Sequence, residues 1–260
     1  MSIVTVGDYL VHYEVLGRSK PVIFIHGWLG SWRYWWSSMQ GLSAHHRSFA
    51  IDLWGFGDSS KQIEAYSIPA YVDLLEKFID KLGISHRLTI IGHGLGAVTS
   101  LKYAIKFPDR VEKLVTVSLP LNGNDIDERL AKMDVTSFIK TLGKSQSFSE
   151  VDGELRKTDQ TAVSQLVTDM MGEDFTSDLA NCTRPVMVVY GKKDDIVKPP
   201  QNNHQYNAAG SRFYVGLDDC AHFPMLENKV AFNRLLLEFI HSDDSLSELS
   251  PKEYWTRRVR

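Results

Sequence analysis

The sequence predicts an α/β chain built on a mainly parallel sheet with helices on both faces, and three observations carry that prediction. Short β-branched runs recur along the 260 residues, amphipathic helical patterns separate them, and a hydrophobic content of 43% is enough to fill a sizeable core. The strand-like runs are VHYEV (11 to 15), VIFI (22 to 25), SFAI (48 to 51), LTII (88 to 91), LVTV (114 to 117), VMVVY (186 to 190) and RFYV (212 to 215). The later ones are nearly all apolar, as strands covered on both faces should be. Between them, PAYVDLLEKFIDKLG carries Pro69 near its start and Gly83 at its stop, and GAVTSLKYAIKFPD ends before Pro108. Both place apolar residues three and four apart, the period of a helix with one buried face.

Residues 122 to 181 break the alternation. They hold polar helical fragments without a strong strand, and twelve Asp and Glu stand there against six Lys and Arg. An acidic helical insertion between two strands reads as a cap over the carboxyl edge of the sheet, where open α/β sheets keep their ligands. The alternative is a surface excursion with solvated charges. The expected division is a core of residues 1–121 and 182–260 with a helical cap of 122–181.

Composition excludes several classes. The opening stretch MSIVTVGDYLVHYEV has neither the basic start nor the apolar run of a secretion signal, and no later run approaches the roughly 20 apolar residues of a membrane span. A cytoplasmic chain with no membrane partner is expected. Cys182 and Cys220 are too few and too far apart for a disulfide framework, so both are read as free thiols. A net charge of −3 offers no footprint for nucleic acid, and the basic tail YWTRRVR is read as a solvated end.

Four motifs then line up. IIGHGLG (90 to 96) follows a strand and precedes a helix, the setting of the nucleophile elbow G-x-S-x-G. Gly92 and Gly96 occupy the flanking places, where a side chain would prevent the tight turn and the close approach of strand and helix. The middle position, which chemistry reserves for a nucleophile, holds Gly94. Upstream, FIHGWLGSW follows the strand 22 to 25, so Trp28 can offer one oxyanion-hole N–H and Leu95, directly after the elbow position, the other. Downstream, Asp194 in GKKDDIVKPP and His222 in CAHFPMLE each stand past a strand end. The chain order of elbow, acid and histidine is the order found where a nucleophile stands on such a strand-to-helix elbow. Asp194 is preferred to its neighbour Asp195 because it stands three residues after Gly191.

With those residues in view, the sequence resembles the α/β-hydrolase superfamily over nearly its whole length, from HGWLGSWRYW through DLWGFGDSS and GHGLG to GKKDDIVKPP and CAHFPMLE. It is most similar to small bacterial serine hydrolases with a helical cap, a group containing esterases and carbon–carbon bond hydrolases. The resemblance implies an eight-stranded, mainly parallel sheet, an Asp194 that orients His222, a His222 that acts as base and acid, and Trp28 and Leu95 as oxyanion donors. It also implies a serine at position 94, and there the chain departs from the pattern.

Glycine cannot form an acyl-enzyme. Loss of the nucleophile in comparable serine enzymes costs about a millionfold in turnover, roughly 8 kcal/mol, and leaves about 10³ to 10⁴ over water from the oxyanion hole and binding. Cys220, Ser118 and Ser31 read as packing or turn residues rather than substitutes. His26 and His93 read as loop hydrogen-bonding groups. No grouping of His, Cys and carboxylates has metal-site spacing, and neither a phosphate loop nor a dinucleotide fingerprint is present, so no cofactor and no metal are expected.

Among the crowded aromatics at 28 to 36, Trp28 alone is assigned to the pocket. Phe138, Phe148, Met170, Met171 and Phe175 are offered as an apolar wall for a small to medium acyl or aryl ligand. Three functional readings remain: a serine-hydrolase scaffold for carboxylic esters that lacks its nucleophile, a ligand-binding pseudoenzyme, and a non-covalent His222–Asp194 general-base enzyme such as a lyase or cofactor-free oxygenase.

Overall fold

The computed structural model describes residues 2–142, 148–200 and 211–242. The basic tail 254–260 lies outside the described residues. Eight strands form one sheet: β1 (Ser2–Val6), β2 (Tyr9–Gly17), β3 (Lys20–Ile25), β4 (His46–Ile51), β5 (Leu88–His93), β6 (Val111–Val117), β7 (Val186–Gly191) and β8 (Arg212–Leu217). Their order is β1-β2-β4-β3-β5-β6-β7-β8. Only the pairs β1–β2 and β2–β4 are antiparallel; every pair from β4 to β8 is parallel.

The seven expected runs are all strands, and β1 is the addition. It is an edge strand whose residues alternate between partly buried and exposed up to Val6, so it presents no continuous apolar run to read. Strands β5 and β7, by contrast, are buried at every position.

Helix α1 (Trp36–Leu42) packs against α10 (Lys229–His241), which follows the short α9 (Pro224–Glu227), and α2 (Ile68–Lys81) packs against α3 (Leu95–Lys106). In α2 the Ser67 hydroxyl accepts the Ala70 N–H, Pro69 stands in the first turn, and Tyr71, Val72, Leu74, Leu75, Phe78 and Ile79 form the buried face. Gly83, with φ +66°, takes the left-handed conformation that ends the helix.

Between β6 and β7 run α4 (Arg129–Lys132), α5 (Val135–Thr141), α6 (Ser149–Leu155), α7 (Gln160–Met170) and α8 (Thr176–Asn181), with no strand among the described residues of 122–181. Side chains of this segment reach the loops that follow β3 and β4. Glu154, buried, pairs with Arg33 at 2.6 Å, Lys157 with Asp58 at 3.0 Å, and Asp159 accepts the Tyr66 hydroxyl at 2.7 Å. Part of the acidic surplus is therefore spent in contacts with the rest of the chain and is not solvated. Among the described residues, no helix is long and apolar enough to cross a membrane. Both cysteines are buried, and neither is in a disulfide.

Candidate active site

The four motif-bearing loops follow the carboxyl ends of β3, β5, β7 and β8, and because the pairs from β3 to β8 are all parallel in the order β3-β5-β6-β7-β8 these ends lie along one edge of the sheet. Strand β5 ends at His93, Gly94 turns with φ +51° and ψ −110°, and α3 begins at Leu95. This is backbone that an L-residue adopts only under strain and glycine adopts freely. The flanking glycines have steric reasons. A β-carbon on Gly92 would overlap the Gly96 carbonyl and the Ser100 hydroxyl, and one on Gly96 would overlap the Ile25 carbonyl. Strand β5, helix α3 and strand β3 could not approach so closely with any side chain there.

His222 and Asp194 come together. The imidazole Nδ1 stands 2.9 Å from Asp194 Oδ2 and 3.1 Å from Oδ1, and both residues are buried. Asp194 Oδ1 also accepts the N–H groups of Ile196 and Val197, each at 2.9 Å, which holds the carboxylate toward the imidazole. Asp195 is exposed and borders a cavity that Cys220, Ala221 and Glu227 also line. The choice between the two carboxylates thus rests on which one the turn after β7 aims inward.

The His93 ring lies 4.4 Å from the His222 ring, centroid to centroid, which sets the elbow beside the imidazole. Trp28 is fully buried, and its six-membered ring rests against the elbow: Cζ3 is 2.8 Å from the point where a β-carbon on residue 94 would stand. Leu95 opens α3, and the first N–H groups of a helix have no intrahelical acceptor.

His26 and His93 act as loop fasteners. His26 donates from Nδ1 to the Gly27 carbonyl at 2.8 Å and accepts the Leu53 N–H on Nε2 at 3.0 Å. Burial lowers the pKa of both histidines, that of His93 well below the ordinary value.

Residues offered as an apolar wall border two separate cavities. Phe148 borders a cavity of about 830 Å³ together with Cys220, Ala221 and Glu227, whereas Met170 and Phe175 border another of about 480 Å³ with Ile68 and Val72. Phe138 is fully buried, and Met171 is exposed because α7 ends at Met170 and the chain turns outward.

Three groups escaped the sequence reading. Tyr34 hydrogen-bonds His93, and Glu227 accepts the N–H groups on either side of His222, Ala221 at 2.6 Å and Phe223 at 2.8 Å. Asp52 accepts from Trp32 N, Asp58 N and His12 Nδ1, so it fastens the loops after β3 and β4. His12, Asp52 and Asp58 place possible ligand atoms within 4.8 Å of one another, a grouping that linear spacing hides. Asp52 already uses both oxygens as hydrogen-bond acceptors, so the donor set fits a structural hub better than a metal site.

Residues 20–179 match the family described as the alpha/beta hydrolase fold. The chain is 24% identical to the 2-hydroxy-6-oxo-2,4-heptadienoate hydrolase of Pseudomonas putida, over 93% of this chain and 96% of that protein. It is 23% identical to the pimeloyl-acyl-carrier-protein methyl ester esterase of Vibrio cholerae, over 88% and 97%. Among solved structures it is similar to the enol-lactonase from Burkholderia xenovorans, with a TM-score of 0.79 at 18% identity, covering 93% of this chain and 100% of that one. With its eight-stranded sheet, its tight glycine turn after β5 and this match over more than half its length, the chain belongs to the α/β-hydrolase fold family.

Proposed function

We propose that this chain is an ester-hydrolase scaffold for a small to medium apolar acyl or carboxylic ester ligand, in which the nucleophile's position is filled by Gly94 and covalent turnover is accordingly slight. The observation that carries the reading is the elbow backbone of Gly94 beside an intact His222–Asp194 pair. The methyl ester esterase activity in one relative's name supports the ester class, and the hydrolase activity in another's supports hydrolysis. The helical segment 122–181 is read as the cap, and Trp28 and Leu95 as the oxyanion donors.

With Asp194 on Nδ1, His222 keeps Nε2 for proton transfer. A serine hydroxyl at 94 would give its proton to Nε2 as its oxygen bonds to the ester carbonyl, and the imidazolium would return that proton to the departing alkoxide. In the present chain the same imidazole can only take a proton from water, whose oxygen attacks the carbonyl directly. This is the second reading, non-covalent general-base chemistry, and the buried dyad favours it over a pure binding role.

The test compares p-nitrophenyl acetate and hexanoate hydrolysis by the chain and by its Gly94→Ser and His222→Ala variants. The proposal expects a phenol burst and fluorophosphonate labelling only in the Gly94→Ser protein. Activity of the parent chain that vanishes in His222→Ala would favour the general-base reading, and ligand retention without turnover in any form would favour a binder.

A further inference from the structure

Tyr34 lies in the short 3-10 helix Trp32–Trp35 after β3 and is buried. Its hydroxyl oxygen accepts the Gly27 N–H and stands 2.9 Å from His93 Nδ1, while His93 Nε2 stands 2.8 Å from the carbonyl oxygen of His222. The direction of every link is forced. A carbonyl oxygen only accepts, so the proton of His93 is on Nε2. The neutral ring then accepts on Nδ1, the phenol donates to it, and the phenol oxygen takes the Gly27 N–H. Burial keeps both groups neutral around neutral pH, with His93 pushed well below the ordinary histidine value and Tyr34 well above the ordinary phenol value.

The glycines of HGWLG make room for this chain. A β-carbon on Gly30 would overlap the Tyr34 ring, and one on Gly27 would stand 3.0 Å from His93 Nδ1. The line therefore joins three loops that are far apart in sequence: the one carrying Trp28, the elbow carrying Gly94 and Leu95, and the one carrying His222.

We propose that Tyr34 and His93 are positioning residues, a hydrogen-bonded tie that holds the oxyanion loop, the elbow and the histidine loop at a fixed mutual separation. The inference rests on the reading of His222 as the base of the site. Fixed separation matters because misplacement of reacting groups by about 1 Å can cost about a hundredfold in rate.

Two readouts test it. In the Gly94→Ser background, Tyr34→Phe is compared with Tyr103→Phe, which loses an equally buried tyrosine's hydrogen bond, to Glu76 on α2. Tyr34→Phe should lower kcat by about 10- to 100-fold, the range seen when groups that orient a ligand residue are removed, with KM nearly unchanged. Tyr103→Phe should leave kcat close to its parent. Equal effects of the two variants, or none, would overturn the tie.

The second readout needs no turnover, so it stands apart from the fate of the proposed function. In the unsubstituted chain, histidine nitrogen NMR should show His93 as the Nε2–H tautomer without titration between about pH 5.5 and 8. In Tyr34→Phe the His222 ring signals should gain exchange broadening that Tyr103→Phe does not produce. A His93 found as the Nδ1–H tautomer, or an undisturbed His222 in Tyr34→Phe, would overturn the inference.

Discussion

The Cζ3 atom of Trp28 stands 2.8 Å from the point where a β-carbon on residue 94 would lie, so the indole occupies the space that an elbow side chain needs. Two costs then meet any substitution of Gly94. The backbone at φ +51° and ψ −110° strains an L-residue by about 1–3 kcal/mol, and the buried indole must shift. Gly94→Ser should therefore melt several degrees lower than the parent, by the scaling of about 2–4 °C per kcal/mol for a chain of this size. It should at the same time gain p-nitrophenyl esterase activity. A serine variant that melts higher than the parent would remove position 94 from the elbow.

The steric part of that cost can be separated from the backbone part. Trp28→Leu opens space over residue 94, so Gly94→Ser should cost less in the Trp28→Leu protein than in the parent. A double-mutant cycle from urea melts should give a favourable coupling of at least about 0.5 kcal/mol, above the limit at which distant sites simply add. Strict additivity would show that the indole yields freely.

How much of this was legible follows from what each residue's role depends on. The parallel strands could be read because burial on both faces leaves a run of apolar residues. β1 could not, since an edge strand alternates like a polar hairpin arm. That Asp194 and His222 would meet was legible from their order and strand-end placement. Tyr34 was hidden because it sits among Trp32, Trp35 and Trp36, where spacing points to packing, and its role comes from one hydroxyl. Glu227 was hidden for another reason: it acts on backbone N–H groups, which leave no trace in residue identity. The pairing of His12 with Asp52 spans 40 residues and depends on strand β2 lying beside β4. The exposure of Met171 follows from where α7 stops, which helical spacing does not reveal.

Asp194→Asn should act through the tautomer. The carboxylate accepts from His222 Nδ1 at 2.9 Å, which places the imidazole proton on Nδ1 and leaves Nε2 unprotonated. An asparagine can keep its oxygen toward Ile196 N and Val197 N and present its amide to the imidazole, which then holds its proton on Nε2. In the Gly94→Ser background kcat should fall by about 10⁴-fold, the cost of that change in a serine protease. Nitrogen NMR should show the Nε2–H tautomer of His222. Full activity with the original tautomer would deny Asp194 its orienting role.

Acid should destabilise the fold through His26 and His93. Burial lowers both pKa values, so the unfolded chain gains protons as pH falls below about 6.5 while the folded chain does not. Their contribution is present above that value and is lost as pH falls toward the folded ones. His12 opposes them. Burial disfavours its charged form, but the hydrogen bond and charge of Asp52 outweigh this and raise its pKa. Its stabilisation is thus full below about 6.5 and is lost as pH rises through the raised value. The urea midpoint should fall between about pH 7.5 and 5.5, and it should fall further in His12→Gln. A midpoint that rises toward acid pH would reverse this assignment.

Glu227 offers a local test of what holds the histidine loop. Its two oxygens each take one backbone N–H, from Ala221 and from Phe223, on either side of His222. Burial raises its pKa, and the two N–H groups and His222 pull the other way. Glu227→Gln keeps the shape but replaces one acceptor oxygen with an NH2 group, so one of the two amides must face a donor. Leaving a buried N–H without an acceptor costs about 1–3 kcal/mol. The melting temperature should fall, and hydrogen exchange should quicken at Ala221 or Phe223 while the amides of β5 keep their protection. Equal loss of protection across the sheet would mark Glu227 as a general stabiliser. Unchanged exchange at both flanking amides would show that the loop is held by the His93 bond to the His222 carbonyl instead.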